Sequence, residues 1–217
     1  MSTNGSNASR SRERSVRYPG VDLGEAIDFC RRIDAKGADG LPAGEIAGAL
    51  GYSNVRTNSF SARLSAARQF GLIELRGEAY ALTPRARSIL HPVEPAELPR
   101  LHREAFLEPP LYASLATRLA GRRVPEPESL ANLLYHQEQI TAAAKQTAAQ
   151  AFLASARFVG VLGSDGLLHT QDAPAEPAPP AGLEEHPPPR KPNRPAPVRI
   201  DLRLWGPDAG KVVRVRA

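Results

Sequence analysis

Lysine and cysteine are both scarce in this chain. Of 28 basic residues only four are lysine, and Cys30 is the single cysteine in 217 residues. One cysteine excludes an internal disulfide and the usual zinc quartets, and it fits a reducing cytoplasm. No run of about 18 apolar residues is present to span a membrane, and the N-terminus lacks the apolar stretch of a secretory signal. The chain carries no HExxH pair, no GxxxxGK phosphate loop and no GxSxG elbow. Its five histidines, His91, His102, His136, His169 and His186, are scattered. His102 with Glu104 and Glu108 reads as a charged helix surface. The expectation is a protein that is not an enzyme and needs no cofactor or metal. The arginine excess admits two readings, a GC-rich genome or nucleic-acid chemistry.

The net charge of +5 is modest, but it is unevenly placed. Residues 1–95 hold 13 basic and 10 acidic side chains, 96–183 hold 7 and 9, and 184–217 hold 8 and 4. Both ends are basic and the middle is slightly acidic. Residues 1–17, with Arg10, Arg12, Arg14 and Arg17 among Ser and Asn, are expected to form a disordered arm. Such an arm serves either a phosphate backbone or solubility.

From Tyr18 the pattern turns helical. Asp22 with Glu25 is a capping-box signature, and Leu23, Ala26, Ile27, Cys30 and Ile33 recur at helical spacing. That spacing buries Cys30. Pro42 opens a second segment in which Ile46, Ala47 and Leu50 share a face, and Gly51 stands where a left-handed cap is needed. A third helix starts near Asn58, with Phe60, Leu64 and Ala67 facing inward. Leu72, Ile73 and Leu75, the turn Arg76-Gly77-Glu78, and Tyr80-Ala81-Leu82 then predict a β-hairpin. Thr83-Pro84 caps and opens another helix carrying Ala86, Ile89 and Leu90, which His91-Pro92 ends.

This order predicts a winged helix-turn-helix over 18–95, a shape whose commonest use is docking on DNA. The outer face of the third helix is small and polar, with Asn58, Ser61, Ser65 and Gln69. Arg56, Arg63 and Arg68 stand about it, and Arg76 sits on the wing. Short side chains permit close approach to a groove, amides match an adenine edge, and arginines reach phosphates. Between Val55 and Phe70 three arginines stand with no acidic residue. These eight residues are the candidate contacts to double-stranded DNA. The competing reading is a solvated face, or the same fold used as a protein–protein adaptor.

Residues 96–170 form a second helical region. Leu98, Leu101, His102 and Ala105 mark one helix, Leu111, Leu115 and Leu119 another, and Leu130, Leu133 and Leu134 a third after Pro127-Glu128. A long alanine-rich helix is expected over 140–157, with Ile140, Ala144, Ala148, Ala151 and Ser155 along one side. That small-residue side suits internal packing or a homodimer seam. Ala67-Arg68-Gln69-Phe70-Gly71-Leu72-Ile73 also has an echo in Ala156-Arg157-Phe158-Val159-Gly160-Val161-Leu162. Either the second region is a degenerate copy of the first, or short apolar runs coincide. Lys145 and Arg157 are the only cations on the copy's third helix, so it is expected to pack or bind a partner rather than read DNA.

Through GLIELRGEAYALTPRARSIL (71–90) and AFLASARFVGVLGSDGLL (151–168), the stretch from Tyr18 to Leu168 resembles a loosely defined family of uncharacterised bacterial and phage proteins. These join an N-terminal winged helix to a helical half. The Leu82-Thr83-Pro84 exit is similar to that of many bacterial winged-helix regulators. The resemblance implies fold and carries no activity.

Residues 171–197 hold ten prolines and read as an extended linker. Over 198–217, Val198, Ile200, Leu202 and Leu204 alternate with polar residues. A turn at Gly206-Pro207-Asp208-Ala209-Gly210 leads to Val212, Val213 and Val215. This predicts a C-terminal β-hairpin, which is only marginally stable alone and is expected to pair with a sheet edge, another copy or a protein partner. The fold class expected is therefore mainly α with small β-wings.

Overall fold

The computed structural model describes residues 15–169. The arm over 1–14, the linker and the C-terminal hairpin lie outside the described residues. What is described is mainly helical, with one small antiparallel sheet. Among these residues no helix is long and apolar enough to cross a membrane.

Helix α1 (Leu23–Ala35) starts at Asp22, whose carboxylate accepts the Glu25 backbone N–H at 2.9 Å and so satisfies one of the free donors of the first turn. Its apolar stripe, including Cys30, is buried. Strand β1 (Leu41–Pro42) leads into α2 (Ala43–Ala49), and Gly51 follows at φ 78°. Helix α3 (Asn58–Gln69) buries Phe60, Leu64, Ala66 and Ala67. Strands β2 (Ile73–Arg76) and β3 (Ala79–Leu82) form the expected hairpin around Gly77 at φ 63°, a conformation that favours glycine. Helix α4 (Pro84–Leu90) is capped by Thr83, whose hydroxyl accepts from the Ala86 N–H at 3.2 Å.

The sheet has the order β1-β3-β2, with Leu41 opposite Tyr80 and Ile73 opposite Leu82. Sequence patterning did not reveal β1, because two residues ending in proline carry no alternation to read. Asp39, just before it, accepts the Leu82 N–H at 2.7 Å and pairs with Arg87 at 2.8 Å, tying the strand to α4.

The second region contains α5 (Leu98–Leu107), α6 (Pro110–Leu119), α7 (Pro127–Gln137) and α8 (Lys145–Phe158). Helix α8 starts at Lys145, later than the expected Ile140. Gln139 takes a left-handed φ of 55°, and Ile140 buries its side chain within the turn that joins α7 to α8. The small-residue side of α8 is covered within the chain, because Ala148, Ala151 and Ser155 are all buried. The Ser155 hydroxyl accepts the Leu23 N–H of α1 at 2.9 Å. Internal packing therefore occupies the face that would have formed a dimer seam. Both regions share one hydrophobic core, in which Tyr112 stacks edge-on against Phe70 and Phe152.

The sequence echo extends to the backbone. At the end of α3, the N–H groups of Phe70, Gly71 and Leu72 donate to the carbonyls of Ala66, Arg68 and Ala67. At the end of α8, those of Val159, Gly160 and Val161 donate to Ser155, Arg157 and Ala156, each partner a constant 89 residues further on. Gly71 and Gly160 are both left-handed, as are Gly77 and Gly166 at the same offset. In the first region Gly40 N–H donates to Tyr80 C=O beside β1. In the second, Gly121 N–H donates to Leu168 C=O, and Ala120 and Arg123 bridge to Leu168 and Leu167. The order helix, bridge, helix, helix, turn, bridge thus occurs twice. In the second region the ladders shrink to isolated bridges, one of them parallel.

Candidate nucleic-acid interface

The exposed side of α3 is built from the turn before it. Asn54 Oδ1 accepts the Arg56 N–H at 2.8 Å, and its carbonyl accepts both the Thr57 hydroxyl and the Thr57 N–H. This asparagine turn fixes the backbone of Arg56 and sets the entry to α3. The Arg56 side chain has no carboxylate partner among the described residues. Asn58, Ser61 and Ser65 lie exposed along the helix, and the Ser61 hydroxyl donates to the Asn58 carbonyl at 3.2 Å.

Arg63, Gln69 and Arg76 of the expected contact residues have partners inside the chain. Arg63 meets Glu25 of α1 at 2.5 Å and donates to the Ser59 carbonyl, with only 27% of its side chain exposed. Gln69 donates through Nε2 to the Tyr18 carbonyl at 3.0 Å and to Ser65 Oγ at 3.3 Å. These bonds hold α3 against α1 and against the segment before α1. Arg76 lies on the wing and pairs with Glu74 at 2.5 Å. Arg68 is exposed, has no carboxylate partner among the described residues, and lies 5.7 Å over the Tyr80 ring, linking the end of α3 to β3.

Between α3 and the hairpin runs a groove of about 1030 Å³. Phe60, Leu64 and Ile73 lie along it as core residues, and Arg17 and Arg68 add positive charge. Val16, Val55 and Leu75 also border it and remain 44%, 39% and 45% exposed. Leu75 shares a strand face with Ile73, so the apolar side of the hairpin continues beyond the core. The start of the described chain is held nearby. Ser15 Oγ donates to Thr141 Oγ1 at 3.1 Å and accepts the Thr141 N–H at 2.9 Å. Ser15 of the expected arm is therefore held by two hydrogen bonds, and burial pushes the Tyr18 phenol pKa up.

Comparison with protein-family models, curated proteins and solved structures finds no match.

Val16, Tyr18 and Tyr80 are additions that local patterning does not supply, since in sequence Tyr80 is only part of a short strand; Arg17 lies at the groove as one of the arm's arginines. The histidine considered above belongs to packing: His102 is 5.1 Å from the Phe158 ring, and burial lowers its pKa. Its neighbours Glu104 and Glu108 pair with Arg100 and Arg85. Among the described residues no group of three His, Cys, Asp or Glu is placed to hold a metal. The arrangement on α3 and the hairpin can offer amide and hydroxyl groups, two guanidinium groups without a carboxylate partner among the described residues, and an apolar bed to a ligand.

Proposed function

We propose that α1 to α4 and the three strands constitute a winged helix-turn-helix, with α3 the recognition helix and β2–β3 the wing, and that the chain binds duplex DNA through it. The reading extends to a cytoplasmic regulator or accessory factor of a bacterial or phage system. The observation that carries it is the pairing pattern of the arginines. On and beside α3, Arg63 meets Glu25, whereas Arg56 and Arg68 next to the small polar face meet no carboxylate among the described residues. An unneutralised guanidinium beside short side chains is what phosphate contact at a groove requires.

The test is a duplex titration at rising salt. Binding should weaken steeply, and R56A with R68A should reduce the slope of log affinity against log salt by about 0.9 per lost phosphate contact. Changing Asn58 to alanine should instead relax sequence preference, by about 1–3 kcal/mol per lost base contact. Affinity that is flat with salt, or that is unchanged in the folded R56A/R68A variant, overturns the reading.

A second reading is favoured by Val16, Val55 and Leu75, because exposed apolar side chains gathered in one groove suit a protein partner. In that adaptor, Leu75→Ser removes partner binding, and R56A/R68A has no nucleic-acid affinity to reduce. The C-terminal segment 198–217 would offer the adaptor a second attachment.

A further inference from the structure

The groove beside α3 has a counterpart in the second region. A cavity of about 400 Å³ lies between α8, the loop after α6 and the glycine turn 163–166. Leu64, Arg68 and Ile73 of the first groove correspond to Leu153, Arg157 and Leu162 of this one, each 89 residues further on. The duplication therefore preserves the groove as well as the backbone, including the arginine in the last turn of the third helix.

The loop after α6 adds a cation that α8 does not carry, because it brings Arg123 to the cavity. Backbone bonds from Val124 N–H to Gly166 C=O at 2.9 Å and from Leu168 N–H to Arg122 C=O at 3.1 Å fix that loop against the turn. Arg123 lies across the turn, its Nε 3.4 Å from where a Cβ on Gly166 would sit. Arg122, Arg123 and Arg157 are all exposed and have no carboxylate partner among the described residues. The acidic groups at the cavity are Glu126 and Asp165. Asp165 is engaged with the Leu167 N–H at 2.9 Å and faces His169 at 3.5 Å.

We propose that this second groove is a phosphate-contact site for duplex DNA, with Arg123 and Arg157 as its contacts, so that the chain holds nucleic acid at two duplicated grooves. The inference rests on the DNA-binding reading above and adds a second point of attachment to it. The arginines of the second groove contribute affinity and no base reading. Of the positions equivalent to Asn58, Ser61 and Ser65, which are Thr147, Gln150 and Ala154, only Gln150 carries an amide, and the wing is reduced to a bridge. Phosphate contact needs only charge and reach.

The experiment uses the full chain and a fluorescent random duplex of about 30 base pairs, roughly three helical turns. Wild type, R56A/R68A, R123A/R157A and R123K/R157K are titrated across a salt series, with thermal melts to establish folding. R123A/R157A should lose several-fold to about tenfold in affinity per contact at 0.1 M salt and lower the salt slope by nearly two, while R123K/R157K retains most of both. If wild type binds and folded R123A/R157A binds with the same affinity and slope, the second site is overturned while the first reading stands. A drop in R123A/R157A beside an unchanged R56A/R68A overturns the α3 assignment, and with it the claim of two grooves, leaving phosphate contact at the second alone. A wild type that binds no duplex at low salt overturns both.

Discussion

Ser155→Ala tests the joint between the two regions. Ser155 is fully buried, its Oγ accepts the N–H of Leu23 at 2.9 Å, and its hydroxyl donates to the Ala151 carbonyl at 2.7 Å. The Leu23 N–H belongs to the first turn of α1, where no intrahelical acceptor exists. Leu23 is itself fully buried, so no bulk water replaces the lost oxygen. Leaving one buried donor unsatisfied costs about 1–3 kcal/mol. Alanine recovers about 0.5 kcal/mol of helix propensity, and the net loss is about 0.5–2.5 kcal/mol. For a folded unit of this size the melting temperature should fall by about 1–10 °C. The assay is denaturant unfolding followed by circular dichroism, with an unchanged m-value establishing that stability alone moved. Ser155→Gly should fall about 1 kcal/mol further, through its helix propensity. A Ser155→Ala protein as stable as wild type would refute the claim that this hydroxyl serves as the acceptor for α1.

The corresponding glycines give a paired test: G71A and G160A each force alanine into a left-handed conformation at about 1–2 kcal/mol. G71A should lose about 0.5 kcal/mol more. Its Cβ would lie 2.6 Å from Arg85 Nη1 and disturb the partly exposed Arg85–Glu108 pair, whereas nothing lies within 4 Å at Gly160. Equal losses, or the reverse order in unfolding titrations, would remove the steric argument. Cys30 is buried, and burial pushes its thiol up to about 12. Because the folded pKa is the higher one, the thiol's contribution is complete below the unfolded value of about 8.5 and declines by up to about 1.4 kcal/mol per pH unit above it. Native protein should resist a thiol reagent at pH 8, and C30A should flatten the alkaline loss of stability. Rapid native labelling, or an identical alkaline slope in C30A, would contradict this account.

Several elements were legible in the sequence because their causes lie within a few residues. Asp22 and Thr83 announce helix starts, since a short oxygen-bearing side chain satisfies a donor two or three positions on. Gly77 marks the hairpin turn and Gly51 the end of α2, since both positions need positive φ. The inward faces of α1 and α3 follow from helical period, as does the exposure of Asn58, Ser61 and Ser65 opposite them. Even the internal echo at Gly71 and Gly160 was visible as a string of similar residues.

The tertiary structure decided what those residues do. Arg63 and Arg68 look alike in sequence, yet Glu25 on another helix takes the first and leaves the second exposed. Gln69 has the side chain of a base reader, but the Tyr18 carbonyl, 51 residues away, occupies its amide. Strand β1 exists because Tyr80 and Ala79 supply a partner for it, and the start of α8 moved because Ile140 was needed in the turn. Arg123 joins Arg157 only after the chain closes the loop after α6 onto Gly166. Local periodicity reports which face of an element is apolar. Which element covers that face, and which charge meets which, depends on contacts between distant residues that only the folded chain brings together.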